Sequence, residues 1–376
     1  MFKQFLASLT VLGMAACSSN SSNSVTSEQN LVGVTQFEMT SDTSWYQVMA
    51  WYPAAEKGNH TPLPYAEKWL NKALAKQYGI PSFLSGGEQL SKSWQEAPIQ
   101  AGSFPVIIFN HGWQAFARSN MTQMEMLAEH GYIVMSINHP GDSVLIKRSD
   151  GTFVPQSENV KNSIKADQQL LSDIAKHYNQ LKTAPSAQAY HDEIALLQQK
   201  PLYQPITQNF HQWVAQTQHL IMQVRQTDSD AIPSFLRQHI ETKKIGLLGH
   251  SFGGAVSGLV AMQDKTQLPA VVLDAPQFDY GLPILNNNAT ILYLTGTDLK
   301  FGKTKVSNKN LNQALTKHYP NVQEINFDGA SHMNFTDLNH LRPLKWMGVL
   351  GPVDNKLFWQ SMNETVLTFY DQQFRK

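Results

Sequence analysis

The sequence predicts an α/β fold, a mostly parallel central sheet covered by helices on both faces. Three observations predict it. Apolar runs at 104–109, 132–137, 244–248, 270–273, 291–294 and 322–327 are each short enough for a buried strand. Helical segments lie between several of them. Ser119 to His130 carries Met121, Met124, Leu127 and Ala128 at helical spacing and stops at Gly131, and a Gly/Ala-rich stretch runs on from Phe252. Strands that alternate with helices need crossover connections, which favours parallel pairing.

Taken in order, the 376-residue chain divides into three parts. Residues 1–16 read as a signal peptide. Lys3 supplies the positive start, and the apolar run Phe5 to Met14 is too short to span a bilayer. The run ends in Met14-Ala15-Ala16-Cys17, which resembles the lipobox of bacterial lipoproteins, so Cys17 is expected to carry lipid; it is the only cysteine. Ser18 in the next position points to the outer membrane of the cell envelope rather than inner-membrane retention. Residues 17–30 are polar and too poor in apolar side chains to fold, so they form a flexible tether. Residues 31–376 form the folded domain.

Within that domain, Val32, Val34 and Phe37, then Trp45, Val48, Ala50 and Trp51, suggest two strands ending at Pro53. Residues 54–102 read as loops with some helix. Between Asp142 and Thr242 no strand is evident, and roughly a hundred residues is far more than one crossover helix needs. The stretch 144–242 is therefore expected to be a helical insertion. It should emerge at the carboxyl edge of the sheet as a partial lid or wall, or else pack on the flank.

Charge excludes one class of function. Lys plus Arg equals Asp plus Glu, 29 each, and no basic stripe stands out, so nucleic acid is not an expected partner. No His/Cys spacing suits a zinc site, and no metal or organic cofactor is expected. Oligomeric state is not legible.

Gly249-His250-Ser251-Phe252-Gly253 matches G-x-S-x-G, between the strand run Lys244 to Leu248 and a helix of small residues. That is the strand–turn–helix setting of the nucleophile elbow of the α/β-hydrolase fold. Serine is a weak nucleophile at neutral pH and needs a base oriented by a carboxylate, in the chain order Ser, acid, His. His332, in the loop after the last strand, is the favoured base. His318 and His340 fall in helical segments. For the acid, Asp274 and Asp298 both follow strands and both remain open, Asp298 occupying the more usual place for this fold; Asp328 is a third, weaker option that reads as a turn residue. The oxyanion donors should be the N–H groups of Phe252 and of Trp113, in Asn110-His111-Gly112-Trp113 after the strand ending at Phe109. His111, His139 and His250 read as structural.

The chain resembles the platelet-activating factor acetylhydrolase family, in its secreted α/β-hydrolase branch. The matching stretches are Ala50-Trp51-Tyr52-Pro53, FPVIIFNHGW at 104–113, AEHGYIVMSINHPGDS at 128–143, GLLGHSFGGA at 246–255, VVLDAP at 271–276 and SHMNFTD at 331–337. The resemblance implies a Ser251–Asp274–His332 triad, with the acid 23 residues after the serine, and so it selects Asp274 over Asp298. It also implies calcium-independent hydrolysis of short or oxidised acyl esters, possible phospholipid-like substrates included. The segment Asn138-His139-Pro140-Gly141-Asp142 departs from the family's Glu-His-Arg-Asp pattern, which counts against choline phospholipids as substrate. Other acyl-transfer chemistry on the same triad (thioesterase, peptidase, polyester hydrolase) and a non-catalytic binding lipoprotein are the rival readings.

Overall fold

The computed structural model describes residues 30–375, apart from 42–43, 58–60, 79–89, 159–172, 174–175, 286–287, 298 and 302–303. The signal peptide, Cys17 and all but the last residue of the tether lie outside this range, as does Asp298.

The strands of the main sheet are β1 (Leu31–Thr40), β2 (Trp45–Ala54), β3 (Pro62–Pro64), β4 (Leu90–Gln95), β5 (Phe104–Asn110), β6 (Ile133–Asn138), β7 (Ile240–His250), β8 (Ala270–Leu273), β9 (Ile291–Thr295) and β10 (Val322–Asn326). Their order in space is β10-β9-β8-β7-β5-β6-β2-β1-β4-β3. From β10 to β6 every pairing is parallel; β2 joins antiparallel to β6 and β1 to β2. The order reverses between β5 and β7. Open α/β sheets bind ligands outside the carboxyl ends of the strands at such a switch point.

Side-chain alternation builds the core on both faces of the sheet. Val106, Ile108 and Leu247 point to one face; Ile107, Phe109 and Leu248 point to the other. The first face is covered by α3 (Ala187–Gln198), α4 (Gln204–Arg225), α5 (Phe252–Gln263) and α6 (Asn308–His318), through Tyr190, Phe210, Trp213, Val256, Leu259 and Leu315. The second is covered by α2 (Met121–Glu129) and the final α7 (Asn355–Phe374), through Met124, Leu127, Met362, Val366 and Tyr370.

Four local expectations need correction. β3 and β4 extend the sheet, with α1 (Lys68–Tyr78) between them, within the stretch read as loops with some helix; β4 reads Leu-Ser-Lys-Ser-Trp-Gln and has little apolar signal. β7 begins at Ile240 rather than Lys244, because Ile240 pairs with Phe104 although the intervening side chains are largely polar. A short hairpin, Leu145–Lys147 with Phe153–Pro155, occupies the start of the insertion. Finally, α4 is a core helix. Ile206, Phe210, Trp213, Val214, Leu220, Ile221 and Val224 form a buried stripe at helical spacing, so most of this helix packs on the sheet's flank, and only Phe210 and Trp213, in its first half, meet Phe252.

Candidate active site

The nucleophile elbow has the backbone that its sequence calls for. Ser251 follows β7 and precedes α5 with φ 55°, a left-handed conformation that costs a non-glycine residue energy. The flanking glycines are required by backbone contact. A Cβ on Gly249 would stand 2.2 Å from the Gly253 carbonyl oxygen. One on Gly253 would stand 2.3 Å from the carbonyl oxygens of both Asn110 and His111. The second glycine thus lets the helix start press on the loop after β5. The Ser251 N–H donates to the Leu273 carbonyl (2.9 Å), which ties the elbow to the end of β8.

The next residue there is Asp274, which is 1% exposed and also left-handed, with φ 45°. Its Oδ2 accepts from His332 Nδ1 at 2.7 Å. Its Oδ1 accepts from the Gly296 N–H (3.0 Å) and from Asn308 Nδ2 (3.1 Å). Burial alone would raise this carboxyl, but the hydrogen bond and charge of His332, with the Gly296 and Asn308 donors, hold it below the usual carboxylate range. His332 opens a short helical turn after β10 and remains partly exposed.

His250 packs against this pair. Its Nε2–H donates to the His332 carbonyl (3.2 Å), and the two rings lie 4.5 Å apart. Burial, and then the neighbouring His332, push His250 down to about 3, so it is a neutral support rather than a second base. Gly112 closes the other side: a Cβ there would be 2.9 Å from His250 Nδ1 and 3.5 Å from Ser251 Cβ. The loop that carries Trp113 therefore borders the serine.

Behind Phe252 stands a wall of rings. Trp213 lies 5.0 Å from it, Phe210 5.4 Å, Tyr280 6.1 Å and Trp113 6.2 Å. Trp213 also stacks on His139 at 3.6 Å and donates its Nε1–H to Asp142 (2.6 Å). Asn209 Nδ2 donates to the other oxygen of Asp142 (2.8 Å), and burial lifts this carboxyl to about 6 despite its donors. His111 is likewise buried and held at about 4; its Nδ1–H donates to the Gly112 carbonyl. The histidines expected to be structural are all buried, His111 and His139 against Trp213 and His250 against His332.

The sequence-predicted residues separate cleanly. Ser251, Phe252, Asp274, His332 and Trp113 lie together at the carboxyl ends of β5, β7 and β8. His318 and His340 are exposed. Asp328 is an exposed turn residue that accepts from Asn326 Nδ2. Asp298 lies outside the described residues. Sequence reasoning missed Asn308, Asn209 and the contact of His250 with His332. Only an alignment of fold positions could have pointed to them, since no local motif marks an asparagine that reaches across space.

The fold and the family match place the chain in one class: a carboxylic ester hydrolase of the α/β-hydrolase fold. Among solved structures, a ferulic acid esterase from Streptomyces cinnamoneus superposes with a TM-score of 0.64 at 16% identity, over 93% of this chain and 91% of that one. A family model described as platelet-activating factor acetylhydrolase, isoform II, matches residues 37–375, and the chain belongs to that family. Two relatives, each named platelet-activating factor acetylhydrolase, are similar at low identity. The protein from Cavia porcellus is 21% identical over 340 residues, 85% of this chain and 70% of the relative. That from Canis lupus familiaris is 22% identical over 341 residues, with the same coverage.

Proposed function

We propose that Ser251 is the nucleophile, His332 its base and Asp274 the acid that orients the base, in hydrolysis of carboxylic esters through an acyl-enzyme. The observation that carries this reading is the 2.7 Å bond from His332 Nδ1–H to the buried Asp274 carboxylate, beside a serine on a strained strand–helix turn. That bond fixes the imidazole tautomer with its proton on Nδ1, leaving Nε2 free to accept the serine proton. Ser251 Oγ attacks the ester carbonyl. The developing oxyanion takes hydrogen bonds from the N–H groups of Phe252 and Trp113, with the start of α5 adding its dipole. His332 then protonates the departing alcohol. Water, activated by the same histidine, releases the acid and restores the serine.

Short or oxidised acyl esters are the proposed substrates. Family membership supports this choice, and so does the ring wall behind Phe252. Trp213 and Phe210 are fully buried there and give the site an apolar backing suited to a short acyl group. The test uses a fluorophosphonate probe. It is expected to label Ser251 alone and to abolish hydrolysis of p-nitrophenyl acetate in proportion to labelling. Label on another residue, or full hydrolysis by the labelled protein, would overturn the assignment.

We also propose that Cys17 carries a lipid that anchors the enzyme to the outer membrane, on the strength of the lipobox-like Met14-Ala15-Ala16-Cys17. Several acyl chains hold a protein firmly where one does not. Cys17→Ser is expected to leave the membrane fraction, or to stall in processing, while the folded domain keeps its esterase activity. A mature N-terminus other than Cys17 would refute the anchor.

A further inference from the structure

An orienting acid needs more than its histidine. A carboxyl group turns about χ2 in a broad, two-fold well, so its second oxygen must also be held. Here that oxygen, Asp274 Oδ1, has two donors: the Gly296 N–H and Asn308 Nδ2. The same Asn308 nitrogen lies 3.2 Å from the Asp274 carbonyl oxygen, so one amide grips both the side chain and the backbone of the acid. Asn308 is buried and is the first residue of α6, after Ser307, whose side chain caps the helix by accepting from the Asn310 N–H. One turn further on, Asn312 donates to the Ala275 carbonyl (2.9 Å) and accepts from the Gln277 N–H (2.9 Å). Two asparagines at i and i+4 share one face of the helix. Together they hold the backbone from 274 to 277, the segment where Asp274 sits at φ 45° and needs outside support.

We propose that Asn308 is the positioning residue of the acid: its amide fixes the rotation of the Asp274 carboxylate, so that Oδ2 faces His332 Nδ1. This rests on the triad reading given above. The Asn308 amide bonds only to Asp274 among the described residues and acts through it. Two effects follow from its removal. The carboxylate gains rotational freedom, so the imidazole is oriented less of the time. The carboxylate also loses a donor that drew off part of its charge, so its attraction for the His332 proton grows. The ionisable groups around Asp274 are His332 and His250, with His111 behind His250. Lys309 is the exposed neighbour of Asn308 on α6.

The experiment compares wild type, Asn308→Leu, Asn308→Ala and Asp274→Asn by the pH profile of kcat/KM for p-nitrophenyl acetate, with thermal melting to check folding. Loss of a hydrogen-bonding group behind a metal ligand typically costs about 10–100-fold, and a loss of that order is expected here. Asn308→Leu is expected to lower kcat by about that factor with KM within roughly twofold. Its acidic limb is expected to move to higher pH by about half a unit or more. Asn308→Ala, which leaves a void instead of bulk, is expected to move the limb the same way and carries the test if the leucine variant does not fold. Wild-type kcat in a folded variant, or a fall in rate with an unmoved limb in both, overturns the proposal and leaves Asn308 as packing. If Asp274→Asn is itself near wild type, the triad reading fails; if it is crippled while the Asn308 variants are normal, only this inference fails.

Discussion

Replacing Ser251 by Ala is expected to remove ester hydrolysis almost completely. The serine oxygen is the atom that becomes acylated, so its loss removes the covalent route and leaves only what the oxyanion donors do for water attack. In other serine hydrolases, deleting the nucleophile costs on the order of 10⁶-fold in kcat. A residual rate about 10³-fold or more above the uncatalysed reaction would still be consistent with surviving oxyanion donors. Fold should be retained, because Ser251 Oγ has no hydrogen-bonding duty in helix capping. The measurement is the steady-state rate on p-nitrophenyl acetate together with the pre-steady-state burst. A variant that keeps more than about one per cent of the wild-type rate would place the nucleophile elsewhere.

The second large effect concerns Asp274→Asn, for which a loss of about 10⁴-fold is expected. The geometry says why so small a chemical change is so costly. Oδ1 is met by two donors, the Gly296 N–H and Asn308 Nδ2. An asparagine at 274 must therefore turn its own oxygen toward them and its NH₂ toward His332. The imidazole then has to accept on Nδ1, which moves its proton to Nε2, where it can no longer take one from Ser251. Asp298→Asn serves as the control and is expected to be mild. A crippled Asp298 variant beside a healthy Asp274 variant would reverse the choice of acid.

How much of this was legible in the sequence depends on the range of the interaction that fixes each part. The elbow was legible because Gly249 and Gly253 answer to contacts made within a few residues or against the loop after β5. The parallel strands were legible because burial on both faces makes them continuously apolar. His332 was legible from its place after the last strand. Asp274 was not separable from Asp298 by spacing, since both follow strands of the same sheet; family resemblance made the choice. β4 was invisible because, of its side chains from Ser91 to Gln95, only Ser93 is fully buried, and its hydroxyl is satisfied by Glu125, so the strand carries little apolar signal although it lies between β1 and β3. Asn308 was invisible for a different reason. Its role lies in the 3.1 Å between its amide and a carboxylate 34 positions earlier, and nothing in its neighbours records that distance.

Ser251 and Asp274 share one further property, their left-handed backbones at φ 55° and 45°. Each such conformation costs a non-glycine residue on the order of 1–3 kcal/mol. Two of them within 23 positions, both at the working edge of the sheet, are a sizeable fraction of the marginal stability of an ordinary domain. Thermodynamic robustness and catalytic competence are therefore opposed at this edge. Sequence changes that relax it toward the commonest backbone shapes would make a tougher protein and a poorer enzyme.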